Sequence, residues 1–133
     1  MSATLSALIA SALLSLALAA LTIVIHLRAY GGKVIRGNRD DYPPLGGMAG
    51  RVVRAHANLN EALLPFAIIC GAALTTGVAD RTTAWAAAVF FVARLAHAGF
   101  YLAGASPWRS VAFYAGLGAT LVIACQLLLG SLL

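Results

Sequence analysis

Apolar residues fill four long blocks of the chain, and polar residues fall between the blocks or along one side of them. The first block, from about Ala3 to Leu27, holds no Asp, Glu, Lys or Arg. Gly31-Gly32 closes it, and the stretch from Lys33 to Gly47 is polar, with Asp40-Asp41 and Pro43-Pro44. The second block runs from about Met48 to Thr76, polar in its first third and apolar thereafter. Gly77 to Thr83 reads as a short turn, and the third block runs from about Thr83 to Ala103. Gly104-Ala105-Ser106 makes a tight connection to a fourth block, Pro107 to about Leu129, which carries no charge after Arg109. Each block approaches or exceeds the roughly 20 residues that cross about 30 Å of hydrocarbon as a helix. Short connections make consecutive helices antiparallel. The predicted fold class is therefore all-α, an integral membrane four-helix bundle of up-down-up-down topology. Residues 1–133 read as one four-span membrane domain.

Composition agrees with lipid as the solvent. Of 133 residues, 62% are hydrophobic and 10% charged, where a soluble domain carries roughly 25% charged. That is too little charge to cover a water-facing surface, so membrane lipid is an expected partner. The net charge of +5 is not a nucleic-acid signal, because the basic residues sit between apolar spans. Arg28, Lys33, Arg36, Arg39, Arg51 and Arg109 flank the first and third connections, while the second has only Asp80 and Arg81. The first and third connections are thus expected in the cytoplasm and both termini on the other side. Met1 to Thr4 lacks a basic residue, so the first block reads as an uncleaved span and not a signal peptide. Cys70 and Cys125 lie inside apolar runs and read as small buried residues. Trp85 and Trp108 suit the aromatic belts at the two interfaces.

The start of the second span carries the most information. Arg51, Arg54, Asn58 and Glu61 are spaced 3, 4 and 3 apart and fall within one quadrant of a helix. His56 and Asn60 point elsewhere. A polar stripe running into an apolar span faces a bundle interior, a subunit interface or a wet cavity. Glu61 needs a cation, which Arg54 two turns earlier or an arginine of another helix can supply. Pro65 leaves the Glu61 carbonyl without its helical donor and favours a kink. A structural ion-pair network that ties helices together accounts for the same stripe.

Two further clusters lie at the same level. On the third span, Arg94, His97 and Tyr101 occupy positions i, i+3 and i+7, another single face. Ser106-Pro107-Trp108-Arg109 reads as a helix start, with Ser106 as N-cap and Pro107 at the first helical position. Arg109 and Ser110 then sit in the first turn, where free N–H groups and the positive dipole end favour an anion. Tyr114 follows Ser110 by one turn. The alternative for Arg109 alone is snorkelling to lipid headgroups. His26, His56 and His97 are scattered and Cys70 lies deeper, so no metal set is expected. The chemistry on offer is binding of a small acidic or zwitterionic ligand.

These motifs resemble those of the MAPEG family, the membrane-associated proteins in eicosanoid and glutathione metabolism. Arg54-Ala55-His56-x-Asn58-x-x-Glu61 followed by Pro65-Phe66 is similar to the family's second-helix signature. Arg94-x-x-His97-x-x-x-Tyr101 and Pro107-x-Arg109-Ser110 are similar to third- and fourth-helix motifs of its prostaglandin E synthase. The resemblance implies a bacterial inner-membrane homotrimer that binds glutathione between subunits near the cytoplasmic side. It implies that Arg54, Asn58, Glu61, His97, Tyr101, Ser110 and Tyr114 bind glutathione and that Arg109 is catalytic, stabilising the thiolate. A basic residue at the end of the first span, Arg28 or Arg36, is a further expected contributor. The chain departs from the pattern at Ala57 and Ser106, which stand where synthase-like members carry basic residues.

Two functions follow. The first is a glutathione-dependent transferase or peroxidase acting on hydrophobic electrophiles dissolved in the membrane. A cation and a helix N-terminus both lower a thiol's pKa. The second is a non-catalytic lipid-binding module or an accessory subunit of a larger membrane assembly.

Overall fold

The structure, a computed structural model, describes residues 2–38 and 42–130, and of Ile35 only the backbone. Arg39, Asp40 and Asp41, counted above in the first connection, lie outside the described residues. Among the described residues five helices follow in order: α1 Ala3–Tyr30, α2 Lys33–Arg36, α3 Gly47–Thr75, α4 Arg81–Ala103 and α5 Ser106–Gly130. Four of them, α1, α3, α4 and α5, are long and apolar enough to cross a membrane. The chain is an integral membrane protein. The single turn α2 is an addition to the polar connection that hydropathy alone does not reveal.

Local signals set the helix ends. Ser2 caps α1 by accepting the Leu5 N–H at 3.2 Å. Gly31 ends α1 with φ 74 and donates its N–H to the Leu27 carbonyl, a left-handed position that glycine adopts without cost. At α4 the helix begins two residues before the expected start at Thr83, because Asp80 builds a capping box. Its carboxylate accepts the Thr83 N–H at 2.9 Å while the Thr83 hydroxyl accepts the Asp80 N–H at 3.4 Å. At α5 the expected N-cap, Ser106, is itself the first helical residue. The Arg109 N–H bonds the Ala105 carbonyl at 3.1 Å, so it is not one of the free donors the sequence led us to expect. The α3 helix runs through Pro65 without interruption.

The interior is made of small residues and two rings. Phe66 of α3 and Phe90 of α4 stack with centroids 3.7 Å apart and planes 4° apart, and both are fully buried. Cys70, Ala73, Ala86, Ala87, Ala119 and Ile123 close around them. Alanines on α4 let helix backbones approach, which is how helices associate where lipid offers no hydrophobic drive. α4 packs most extensively on α5, α1 lies against α3 and α4, and among the described residues α1 does not touch α5. The flank of α3 and α5 away from α1 is therefore uncovered in one chain. Leu13, Leu16, Leu64, Ile68, Val92 and Leu128 are exposed, as side chains facing hydrocarbon should be.

A polar latch joins the far ends of α4 and α5. The Gln126 amide donates to both Asp80 oxygens at 3.1 and 3.2 Å, and the buried Thr83 hydroxyl donates to the Gln126 carbonyl at 2.9 Å. The Asp80 carboxyl is held below the usual carboxylate range, first by the Thr83 N–H and then by the Gln126 amide.

Candidate functional site

The α3 stripe splays as its side chains leave the helix. Arg51 turns toward the end of α4 and donates from Nε to the Leu102 carbonyl at 3.2 Å. Arg54 turns the other way, to a cavity against the end of α1 that also holds His26 and Tyr30. Asn58 faces α4 and α5, and Glu61 lies exposed below it on the same flank. Among the described residues Glu61 makes no ion pair, so Arg54 does not serve as its counter-charge within one chain. Shared helical face fixes where a Cβ points, but an arginine has enough reach to leave that direction.

At the loop end of α4 and α5, three side chains interlock. The His97 Nδ1 lies 2.9 Å from the Arg109 carbonyl. A carbonyl only accepts, so Nδ1 carries the proton, and in the neutral ring Nε2 is the acceptor. That Nε2 is buried and has no partner among the described residues. The Tyr101 ring meets His97 edge-on at 5.1 Å, and the Arg109 guanidinium lies over the Tyr101 ring at 4.6 Å. His97, Tyr101 and Arg109 join Asn58, Ser110 and Tyr114 around a cavity of about 200 Å³. Ser110 and Tyr114 are exposed on the rim.

A deeper cavity of about 300 Å³ adjoins it and shares Asn58 and Phe113 as wall. Glu61, Pro65, Leu117 and Arg94 also line it. Arg94 is buried at 2% exposure. Its guanidinium lies 5.3 Å from the Phe90 ring centroid and 5.1 Å from that of Phe113. It donates to Asn58 Oδ1 at 3.5 Å and to the Phe113 carbonyl at 3.4 Å, and Nε is unpartnered among the described residues. A buried guanidinium without a carboxylate is costly. Here ring faces and a carbonyl offset part of that cost.

Of the eight residues singled out from sequence, six line one cavity, Glu61 lines the adjoining one, and Arg54 lines a third. Phe113 belongs to both of the first two and was not anticipated. Its position one turn after Arg109 was the signal, obscured because it is apolar. Arg94, noted in sequence as part of a face, joins the deeper wall. Among the described residues, no group of His, Cys, Asp and Glu is placed to hold a metal ion. The arrangement offers two guanidinium groups, an imidazole acceptor, a carboxylate and hydroxyls within a slot whose outer side is open on the α3–α5 flank.

A protein-family model described as MAPEG family matches residues 4–129, nearly the whole chain. No curated protein matches it.

Proposed function

The chain belongs to the MAPEG family, and from that premise we propose that it is a glutathione-dependent transferase or peroxidase. Its substrates are hydrophobic electrophiles that reach the site through the membrane. The single observation that carries this reading is the Arg109–Tyr101–His97 arrangement: a cation held in place by a ring face, beside a buried imidazole acceptor without a partner among the described residues.

The donor set fits the tripeptide. Bound glutathione supplies a thiol, two carboxylates and an amine. Among the described residues Glu61 is the only carboxylate on this flank and receives the amine, while Asn58 and Ser110 hold backbone groups or a carboxylate. Arg109 stabilises the sulfur as a thiolate, which makes it a nucleophile at neutral pH. In a transfer, the new sulfur–carbon bond forms as the leaving group departs with its bonding electrons. The thiol proton is released before that step, and His97 Nε2 is the acceptor at hand.

The uncovered flank supports a homotrimer. Glu61, Ser110 and Tyr114 are exposed in one chain, and such groups are not left against hydrocarbon. A neighbouring copy closes the slot and excludes lipid. The surplus of cations beside the first and third connections supports a cytoplasmic side for these, with both termini opposite.

Titration of the detergent-solubilised protein with glutathione tests the reading. Ultraviolet absorbance of a thiolate rises at saturating ligand, and Arg109→Ala removes that rise while the trimer persists by size exclusion. Glu61→Gln weakens binding measured by calorimetry. Glutathione that binds with its thiol still protonated sinks the mechanism; no binding at all sinks the assignment.

A further inference from the structure

One arginine of the α3 stripe, Arg51, lines neither cavity of the glutathione slot. Half-buried, it reaches from the second turn of α3 to the end of α4, where its Nε donates to the Leu102 carbonyl at 3.2 Å. The end of α4 creates the need for that bond, because the last carbonyls of a helix have no helical donor. Gly104 turns the chain in the left-handed region, with φ 74 and ψ 18. The Gly104 and Ala105 N–H groups then donate back to the Tyr101 and Phe100 carbonyls at 3.1 and 3.0 Å. The Leu102 carbonyl, next in line, takes its donor from Arg51. A cation suits the negative end of a helix, yet α4 has no basic residue in its last turn. Arg51 supplies that charge from another helix.

The α4–α5 corner, Leu102 to Ser106, separates the two halves of the cation–ring pair. Tyr101 precedes it and Arg109 follows it, with the guanidinium over the ring at 4.6 Å. From deeper in α4, His97 Nδ1 donates to the Arg109 carbonyl at 2.9 Å, which holds the α5 backbone but not the corner. Among the described residues the Arg51 bond is the one hydrogen bond between α3 and the corner. The guanidinium also lies against the turn, since a Cβ at Gly104 would stand 4.0 Å from Arg51 Cζ. Among the described residues no carboxylate pairs with Arg51, so its charge is directed at the end of α4.

We propose that Arg51 is a positioning residue for the glutathione thiolate: it ties the α4–α5 corner to α3 and so keeps the Arg109 guanidinium over Tyr101 and beside the sulfur. It acts through Arg109, as it lines no wall of the slot. Asn58 and Glu61 are carried by the same helix as Arg51. The tie therefore sets the cation of α5 against the groups of α3 that hold the rest of the tripeptide, which is how a supporting residue keeps a site in its productive geometry. Attraction between cation and thiolate weakens as the two draw apart. The inference rests on the glutathione reading of the slot and adds to it a role for the corner.

Hydrogen exchange by mass spectrometry and ultraviolet titration with glutathione at neutral pH, both on the detergent-solubilised protein, test it. Arg51→Gln speeds exchange of the amides from Gly104 to Arg109 by about tenfold or more. It lowers the thiolate absorbance at saturating glutathione by roughly twofold or more, while affinity, held by Asn58 and Glu61, changes by less than about threefold. Arg51→Lys keeps the charge, offers the carbonyl an ammonium donor and regains part of both signals. Gly104→Val keeps every charge, but a β-branched residue resists the left-handed turn, so it lowers the thiolate signal as Arg51→Gln does and serves in its place if that variant does not fold. Unchanged exchange at the corner in Arg51→Gln overturns the tie, and a loss of affinity alongside it makes Arg51 a direct ligand contact. Full recovery in Arg51→Lys, with Gly104→Val at the parent's signal, overturns it in favour of charge alone. A parent without thiolate absorbance sinks the glutathione reading instead, and the exchange result still decides the tie.

Discussion

A Cβ at Gly116 would stand 2.8 Å from the Nε of Arg94 and 2.9 Å from its Nη2. The buried guanidinium of α4 therefore occupies space that α5 leaves open by having no side chain there. The pairing explains how a cation reaches the interior wall of the site, between the faces of Phe90 and Phe113. Any larger residue on α5 pushes Arg94 off both rings.

Gly116→Ala tests this directly. The extra methyl has to displace packed atoms, which costs about 1–3 kcal/mol and outweighs the gain in helix propensity. Gly118→Ala, two residues on, meets nothing within 4 Å and gains roughly 0.5–1 kcal/mol from propensity alone. Thermal denaturation of both variants in one detergent should move in opposite directions; equal shifts would show that Arg94 has room to spare.

The latch at the other end of α4 predicts a pH dependence. The Asp80 carboxyl is lowered in the folded chain by the Thr83 N–H and the Gln126 amide. A lowered folded pKa means that its stabilisation is complete above the unfolded value, near 3.9, and is lost as pH falls through the folded one. The melting-temperature gap between the parent and Asp80→Ala should be constant from neutral pH to about pH 5 and shrink in stronger acid. A gap that persists undiminished at the acid limit would assign the effect to chain geometry instead of charge.

The four spans were legible because hydrocarbon demands unbroken apolar runs of fixed minimum length. Their ends were less so. Hydropathy starts α4 at Thr83, whereas hydrogen bonding starts it with the Asp80 cap, and Ser106 entered the helix it was expected to cap. The faces of His97 with Tyr101 and of Ser110 with Tyr114 were legible from a 3.6-residue period, and both meet at one cavity. Arg54 was not, since a four-bond side chain can leave the face its Cβ defines. Nor was Gly116, whose meaning depends on Arg94 of another helix.

Arg109 is predicted to require its planar shape as well as its charge. The guanidinium lies over the Tyr101 ring at 4.6 Å, a stacking that an ammonium reproduces poorly. Arg109→Lys should keep part of the thiolate absorbance and lower glutathione affinity by about tenfold, or ~1.4 kcal/mol. Calorimetry and ultraviolet titration on the same preparation separate the two effects. Unchanged affinity with full thiolate signal would reduce the role of Arg109 to its charge.

The last prediction separates a structural Arg94 from a functional one. As a pure tie between helices, its removal would expose unmet carbonyls and loosen α4 from α5. Yet among the described residues its contacts are weak: two hydrogen bonds at 3.4 and 3.5 Å, an unpartnered Nε and no carboxylate. An apolar chain of similar length saves the cost of burying the charge, and such replacements are commonly neutral or stabilising. Arg94→Met should therefore melt at or above the parent's temperature. Glutathione affinity should nevertheless fall by at least about tenfold, because Asn58 loses its orienting donor and Glu61 the nearest cation of its cavity. A variant that melts well below the parent yet binds glutathione normally would make Arg94 a helix tie and remove it from the site.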